Sequence, residues 1–153
     1  MATGIGKFYG LFFKSLLNKE VDFDTDTIKV VLCTSAYSPN QDTHQYFSHV
    51  TNEITGTGYT AGGLTLAGAV VSYDAATNKI KLDADDASWP DATLTARHAV
   101  IFDNTPSTAA TKPLIAFVTF TGADGVTPAD ISATAAPFQL LWDSAGIANI
   151  TVA

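Results

Sequence analysis

Glu53-Ile-Thr-Gly-Thr-Gly-Tyr-Thr-Ala-Gly-Gly63, running directly into Leu64-Thr-Leu-Ala-Gly-Ala-Val-Val-Ser-Tyr73, is the stretch on which the fold class turns. Gly56-x-Gly58-x-x-Ala61 has the letters of a dinucleotide loop. That chemistry needs a strand before the glycines and a helix opening after them, so that backbone N–H groups and a helix N-terminus meet the pyrophosphate. The residues after Gly63 alternate instead as a β segment, with Leu64 and Leu66 and then Val70, Val71 and Tyr73. No acidic residue stands about twenty positions on, at the end of a second strand, to hold a ribose. The glycines are therefore expected to serve turns that need positive φ.

The same β character runs through most of the chain. Thr27–Thr34 is a short apolar strand, Leu64–Tyr73 and Lys79–Asp83 flank a five-residue loop as a hairpin, and Leu94–Phe102 is read as one strand with Leu94, Ala96, His98, Val100 and Phe102 on one face. Leu114–Phe120 is a core strand, and Phe138–Asp143 with Ile147–Val152 reads as a closing hairpin. No helix separates the strands, which excludes a parallel βαβ sheet. The expectation is a mostly β chain, an antiparallel β-sandwich or small barrel of about seven or more strands with one N-terminal α-helix. The helix is placed at about residues 4–18, where Ile5, Phe8, Tyr9, Phe12 and Leu16 recur at helical spacing, with Thr3 as N-cap. The β-domain is placed at about 27–153, and 1–153 is read as a single domain.

Composition narrows the function classes. The chain has 153 residues, 46% of them apolar and only 15% charged, with 21 Thr and 23 Ala. Such small uncharged residues suit surfaces that face protein as well as water. The net charge is −7, unevenly placed. Residues 1–19 carry Lys7, Lys14 and Lys19 and no acid, whereas five basic and fifteen acidic residues lie beyond them. An acidic body argues against nucleic-acid binding, which needs clustered Lys and Arg. No run is apolar enough to span a membrane, and Lys7 and Lys14 break up any secretory leader. Cys33 stands alone in an apolar run and reads as a buried thiol.

Candidate chemistry is sparse. Asp22, Asp24 and Asp26 alternate as in an EF-hand, yet the sixth and twelfth positions of such a loop are Thr27 and Cys33 instead of Gly and Glu. They remain weak cation candidates, as does the cluster of Asp83, Asp85 and Asp86. His44 and His49 are five apart, and His98 sits on a strand face, so no zinc motif forms. There is no nucleophile elbow, phosphate loop or Cys-x-x-Cys. An enzyme is not expected, nor any cofactor. Protein contacts are expected instead from the apolar helix (Phe8, Phe12, Leu16), read as detachable, and from the long polar loop Ser35–Val50, read as a contact arm bearing Tyr37, Tyr46 and Phe47.

In order, the helix, Val21-Asp-Phe-Asp-Thr-Asp-Thr-Ile-Lys-Val-Val-Leu-Cys-Thr-Ser35, the glycine run 53–63, Leu82-Asp-Ala-Asp-Asp-Ala-Ser-Trp89, Thr95-Ala-Arg-His-Ala-Val-Ile-Phe102, Pro113-Leu-Ile-Ala-Phe-Val-Thr-Phe120 and Leu140-Leu-Trp-Asp-Ser-Ala-Gly-Ile147 form a series. That series resembles a family of small virion structural proteins of tailed bacteriophages. The resemblance implies a non-enzymatic virion component made in the host cytoplasm. A capsid decoration or cement protein bound to the major capsid protein, assembling as a homo-oligomer such as a trimer, is the first expectation. A tail- or fibre-associated protein is the alternative.

Overall fold

The computed structural model describes residues 3–152; residues 1, 2 and 153 of the expected domain lie outside the described part. The described residues are mostly β, with ten strands in three antiparallel sheets and one α-helix near the N-terminus. The largest sheet has five strands in the order β1 (Thr3–Phe8), β8 (Leu114–Thr121), β7 (His98–Asp103), β2 (Ile28–Cys33) and β3 (Leu64–Thr65). A three-stranded sheet joins β10 (Ala148–Thr151), β5 (Lys79–Asp83) and β4 (Val70–Asp74), and β6 (Ala87–Ala96) pairs with β9 (Ile131–Leu140) as a long ribbon.

Every residue of β7 is buried, and β2 and β8 are nearly so. A strand apolar along its whole length needs cover on both faces. One face of the five-stranded sheet carries His98, Phe102 and Phe117, and these meet the N-terminal helix and the loop after β2: Tyr9 on Phe117 at 4.9 Å, Tyr37 on His98 at 6.0 Å, Phe47 on Phe102 at 4.2 Å between ring centres. The other face carries Phe120, which meets Phe138 of the ribbon edge-on at 5.9 Å. Leu82 of β5, with Trp89 and Leu94 of β6, joins the same buried cluster. The large sheet is thus the middle layer of a sandwich-like fold.

Five expectations are corrected. Residues 3–8 are a strand paired antiparallel with β8, and the helix α1 spans only Gly10–Leu17, with Tyr9 in place of Thr3 at its N-cap. The helix is not detachable, because Tyr9 and Phe12 are core residues. The single strand Leu94–Phe102 is two strands in different sheets. Between them, the Arg97 backbone N–H donates to the Cys33 carbonyl at 2.8 Å and its carbonyl accepts from Phe120, while its side chain pairs with Asp130. The C-terminal hairpin does not form: β9 ends at Leu140 and pairs with β6, and β10 crosses to β5. The hairpin forms, with Val70 opposite Asp83 and Asp74 opposite Lys79, but its expected first strand Leu64–Tyr73 is two strands, β3 in the large sheet and β4 in the hairpin.

The glycine run packs its backbone against β2. Tyr59 donates to Glu53 Oε1 at 2.7 Å, the Gly62 N–H donates to the same oxygen at 2.7 Å, and the Tyr59 hydroxyl accepts from the Leu32 N–H at 3.1 Å. Gly63 has φ +71°, and a Cβ there would run into the Val30 carbonyl. The element after it is β3, not a helix. Replacing Gly63 with Ala combines a left-handed backbone with a backbone collision and should cost about 2–3 kcal/mol of stability in urea unfolding. A loss below about 0.5 kcal/mol, the scatter of neutral surface changes, would contradict this reading.

Candidate interaction surface

The structure separates the expected contact residues into two kinds. The loop Ser35–Val50 is not a free arm. Tyr37 is buried, and its hydroxyl lies 2.8 Å from that of Tyr9 and 3.0 Å from His44 Nδ1. Tyr46 is half-buried and donates to Glu20 Oε2 at 3.2 Å, while Gln45 donates to Ser15 Oγ at 3.2 Å. The Phe47 N–H donates to the Lys112 carbonyl, and Leu114 donates back to the Gln45 carbonyl. Residues 35–50 are a strap across the middle sheet. Phe12 lies in the same core, and Phe8 is half-buried, stacked on Phe12 at 5.7 Å. Leu16 alone of the expected helix contacts reaches the surface, beside Leu17, which is 84% exposed.

Sequence reading overlooked the larger exposed surface. Strand β4 is exposed at every position, as the outer strand of its sheet, while its partner β5 turns Leu82 into the core. Val70, Val71 and Tyr73 are exposed on it, Tyr73 by 57%. Alternating β character named the strand, but only the sheet order places it at an outer edge. On the opposite flank, β1 is the edge of the five-stranded sheet. Tyr9 continues the β1–β8 register by donating to the Ile115 carbonyl, so the alternation of an antiparallel pair turns the backbone groups of Gly4 and Gly6 outward. Beside β1 opens a cleft of about 1140 Å³ between Gly4, Gly6, Val118 and Phe120 on one side and Leu140 and Trp142 on the other. Its charged lining residues are Lys7 and Asp143. It is a groove of mixed polar and apolar lining between sheet edges.

The ionisable residues are tied into structure. Asp22, Asp24 and Asp26 each accept a backbone N–H, from Asp24 at 3.2 Å, Val71 at 2.6 Å and Asp22 at 2.7 Å respectively. Among the described residues no three His, Cys, Asp or Glu side chains converge to hold a metal. Asp86 accepts the Trp142 N–H at 2.8 Å, and Asp83 pairs with Lys81. Burial pushes the Cys33 thiol up to about 12, with the Glu53 carboxylate adding to the effect, which leaves no thiolate nucleophile near neutrality. Among the described residues no helix is long and apolar enough to cross a membrane. No family model, curated protein or solved structure matches the chain.

The histidines converge on the strap. His44 and His49 stack at 5.3 Å, and His98 Nδ1 lies 3.1 Å from Thr119 Oγ1. Burial holds both His44 and His98 below the ordinary histidine range, with His49 adding to the effect at His44 and Arg97 at His98. The unfolded chain takes up protons near about pH 6.5 and the folded chain resists, so stability present above that value is lost as pH falls through it. The melting temperature should drop between about pH 7.5 and about pH 5.5, and His98→Asn should flatten the slope. An equal slope in the variant would remove His98 as a source.

Proposed function

We propose that the protein is a non-enzymatic structural component of a tailed-bacteriophage particle, a decoration protein that binds the major capsid protein on the outer shell and stabilises it. The observation that carries the reading is the exposure of Val70, Val71 and Tyr73 along β4, the outer strand of its sheet. Monomeric proteins rarely leave such surface bare unless a partner uses it. The ordered segment series that resembles phage virion proteins supplies the kind of partner. A cement protein adds buried area between shell subunits, and a standard specific interface removes about 1,600 Å² from water.

Two patches supply that area in this reading: the hairpin (Val70, Val71, Tyr73) and the helix end (Leu16, Leu17), with Lys14 and Lys19 beside it. Between them they meet the shell and neighbouring copies, and closed symmetry makes a trimer the assembly proposed for a three-fold position. Deleting the N-terminal segment is no test, because β1, Tyr9 and Phe12 belong to the fold.

Tyr73→Asp and Leu17→Asp alter exposed side chains and should leave the melting transition within about 0.5 kcal/mol. One or both should reduce occupancy on purified shells, or the mass of the oligomer by light scattering, by at least about tenfold in affinity, or 1.4 kcal/mol. Unchanged occupancy and unchanged mass in both variants would refute the reading. Labelled protein found at the tail tip and adsorbing to host cells would replace it with the attachment role.

A further inference from the structure

One edge of the large sheet is left without protection. β1 runs for six residues in unbroken antiparallel register with β8, from Thr3 opposite Thr121 to Phe8 opposite Ala116. Its odd-numbered positions bond to β8, so Gly4 and Gly6 turn their backbone N–H and C=O groups outward. A row of unpaired groups of this kind is a template for another strand.

The other sheet edges among the described residues are blunted. β3, on the far side of the same sheet, has two residues, and β10 has four. On β4 the Val71 N–H is taken by Asp24 Oδ1 at 2.6 Å. The two ribbon strands carry Pro90 and Pro137, and the Thr93 N–H of β6 donates to the Thr57 carbonyl at 3.0 Å. Short length, capped donors and proline are the usual devices against edge-to-edge pairing. β1 has no proline, no bulge and no acidic residue.

The sequence of β1 is complementary to itself. An antiparallel strand centred on Ile5 sets Gly4 across from the partner's Gly6, and Gly6 across from the partner's Gly4, as hydrogen-bonded pairs with no side chain between the backbones. Ile5, which is 44% exposed, then meets the partner's Ile5 in the non-hydrogen-bonded position, with Cα atoms about 4.5 Å apart. Charge selects this register. Lys7 is the only charged residue of the strand. Centring on Ile5 puts it across from the partner's Thr3 and holds the two Lys7 Cα atoms about 14 Å apart, four residues at about 3.4 Å each. That exceeds the roughly 8 Å over which exposed charges stay coupled in physiological salt. An axis at Gly6 would bring the two lysines into diagonal contact at about 7–8 Å, and a parallel pairing would set them side by side. No acidic residue lies in residues 1–19, so the edge is free of the charge by which two acidic bodies repel.

We propose that β1 pairs antiparallel with β1 of a second copy about a two-fold axis at Ile5, joining two five-stranded sheets into one continuous sheet. Two six-residue edges fall at the small, transient end of interface sizes, so the dimer is reversible and dissociates on dilution. The pairing uses neither the hairpin nor the helix end. It therefore stands apart from the trimer and the shell partner proposed above.

Cysteine cross-linking tests the register. Cys33 is the one cysteine of the chain and is buried, so an introduced thiol reacts alone. Ile5→Cys and Lys7→Cys both change exposed side chains. Under mild oxidation at equal concentration, Ile5→Cys should form a covalent dimer at least about tenfold faster than Lys7→Cys, because a disulfide needs Cα atoms about 4.4–6.8 Å apart. Adding Gly6→Pro to Ile5→Cys removes an outward N–H at an edge position, where proline is tolerated, and should slow the cross-link to the Lys7→Cys rate. The wild type answers without any substitution. Its Gly4 and Gly6 amides, followed by NMR, should be protected in concentrated solution and exchange at least about threefold faster after about a hundredfold dilution, by mass action. Cross-linking no faster in Ile5→Cys than in Lys7→Cys, or glycine amides unprotected at every concentration, would overturn the pairing.

Discussion

The fold depends on one constraint: β7 is buried at every position and its neighbours β2 and β8 nearly so, and water must be kept from both sides of the sheet they form. Each fully buried Val, Ile, Leu or Phe contributes about 1.5–3 kcal/mol, so no layer can be given up lightly. The chain covers one face with α1 and the strap 35–50, and the other with the β6–β9 ribbon and the inner side of β5. The strap shows how polar sequence performs this task. Its aromatic rings go inward, while Gln45, Tyr46 and backbone groups tie it to Ser15, Glu20, Lys112 and Leu114.

Once both faces are covered, little apolar surface remains, and where it remains is informative. It lies along β4, at the end of α1, beside β1 at Ile5 and Leu141, on Val126 in the turn after β8 and on Val152. The acidic turn 22–26 sits between the core and the first of these. It spends its carboxylates on backbone donors, one of them on β4 itself. Charge here is used to terminate and shield strands.

Strands that bury a continuous apolar run were legible from the residues alone, as Ile28–Cys33 and Leu114–Thr121 show, and so was the hairpin around Asp74–Asn78. The N-terminal strand was not. Gly4, Ile5, Gly6 and Lys7 alternate, but the apolar residues of a strand and of the helix after it fall together into one helical spacing. Strand β6 was hidden by a register shift: Ala87 and Trp89 face inward, then Ala92, Leu94 and Ala96, the phase slipping at Pro90-Asp91, where Asp91 has φ +52°. Its partner β9 is built largely of Ala, Ser and Thr and has a weak apolar signal. Pairings such as β10 with β5 depend on layers meeting in space and leave no local trace. For the same reason the candidate surface was only half legible: Leu16 was named, whereas the exposure of Tyr73 follows from sheet order and the burial of Tyr37 from where the strap is sewn down.

The central claim is that the strap is internal cover and the hairpin is offered surface. Hydrogen exchange read by mass spectrometry on the free protein and on protein bound to shells tests it most directly. The account predicts that residues 35–50 are protected in the free protein to nearly the level of β7, while residues 70–78 exchange faster than β7 when free and, in the proposed role, slow on binding. A strap that exchanges as freely as an open loop, and gains protection only on particles while the hairpin stays unchanged, would contradict it.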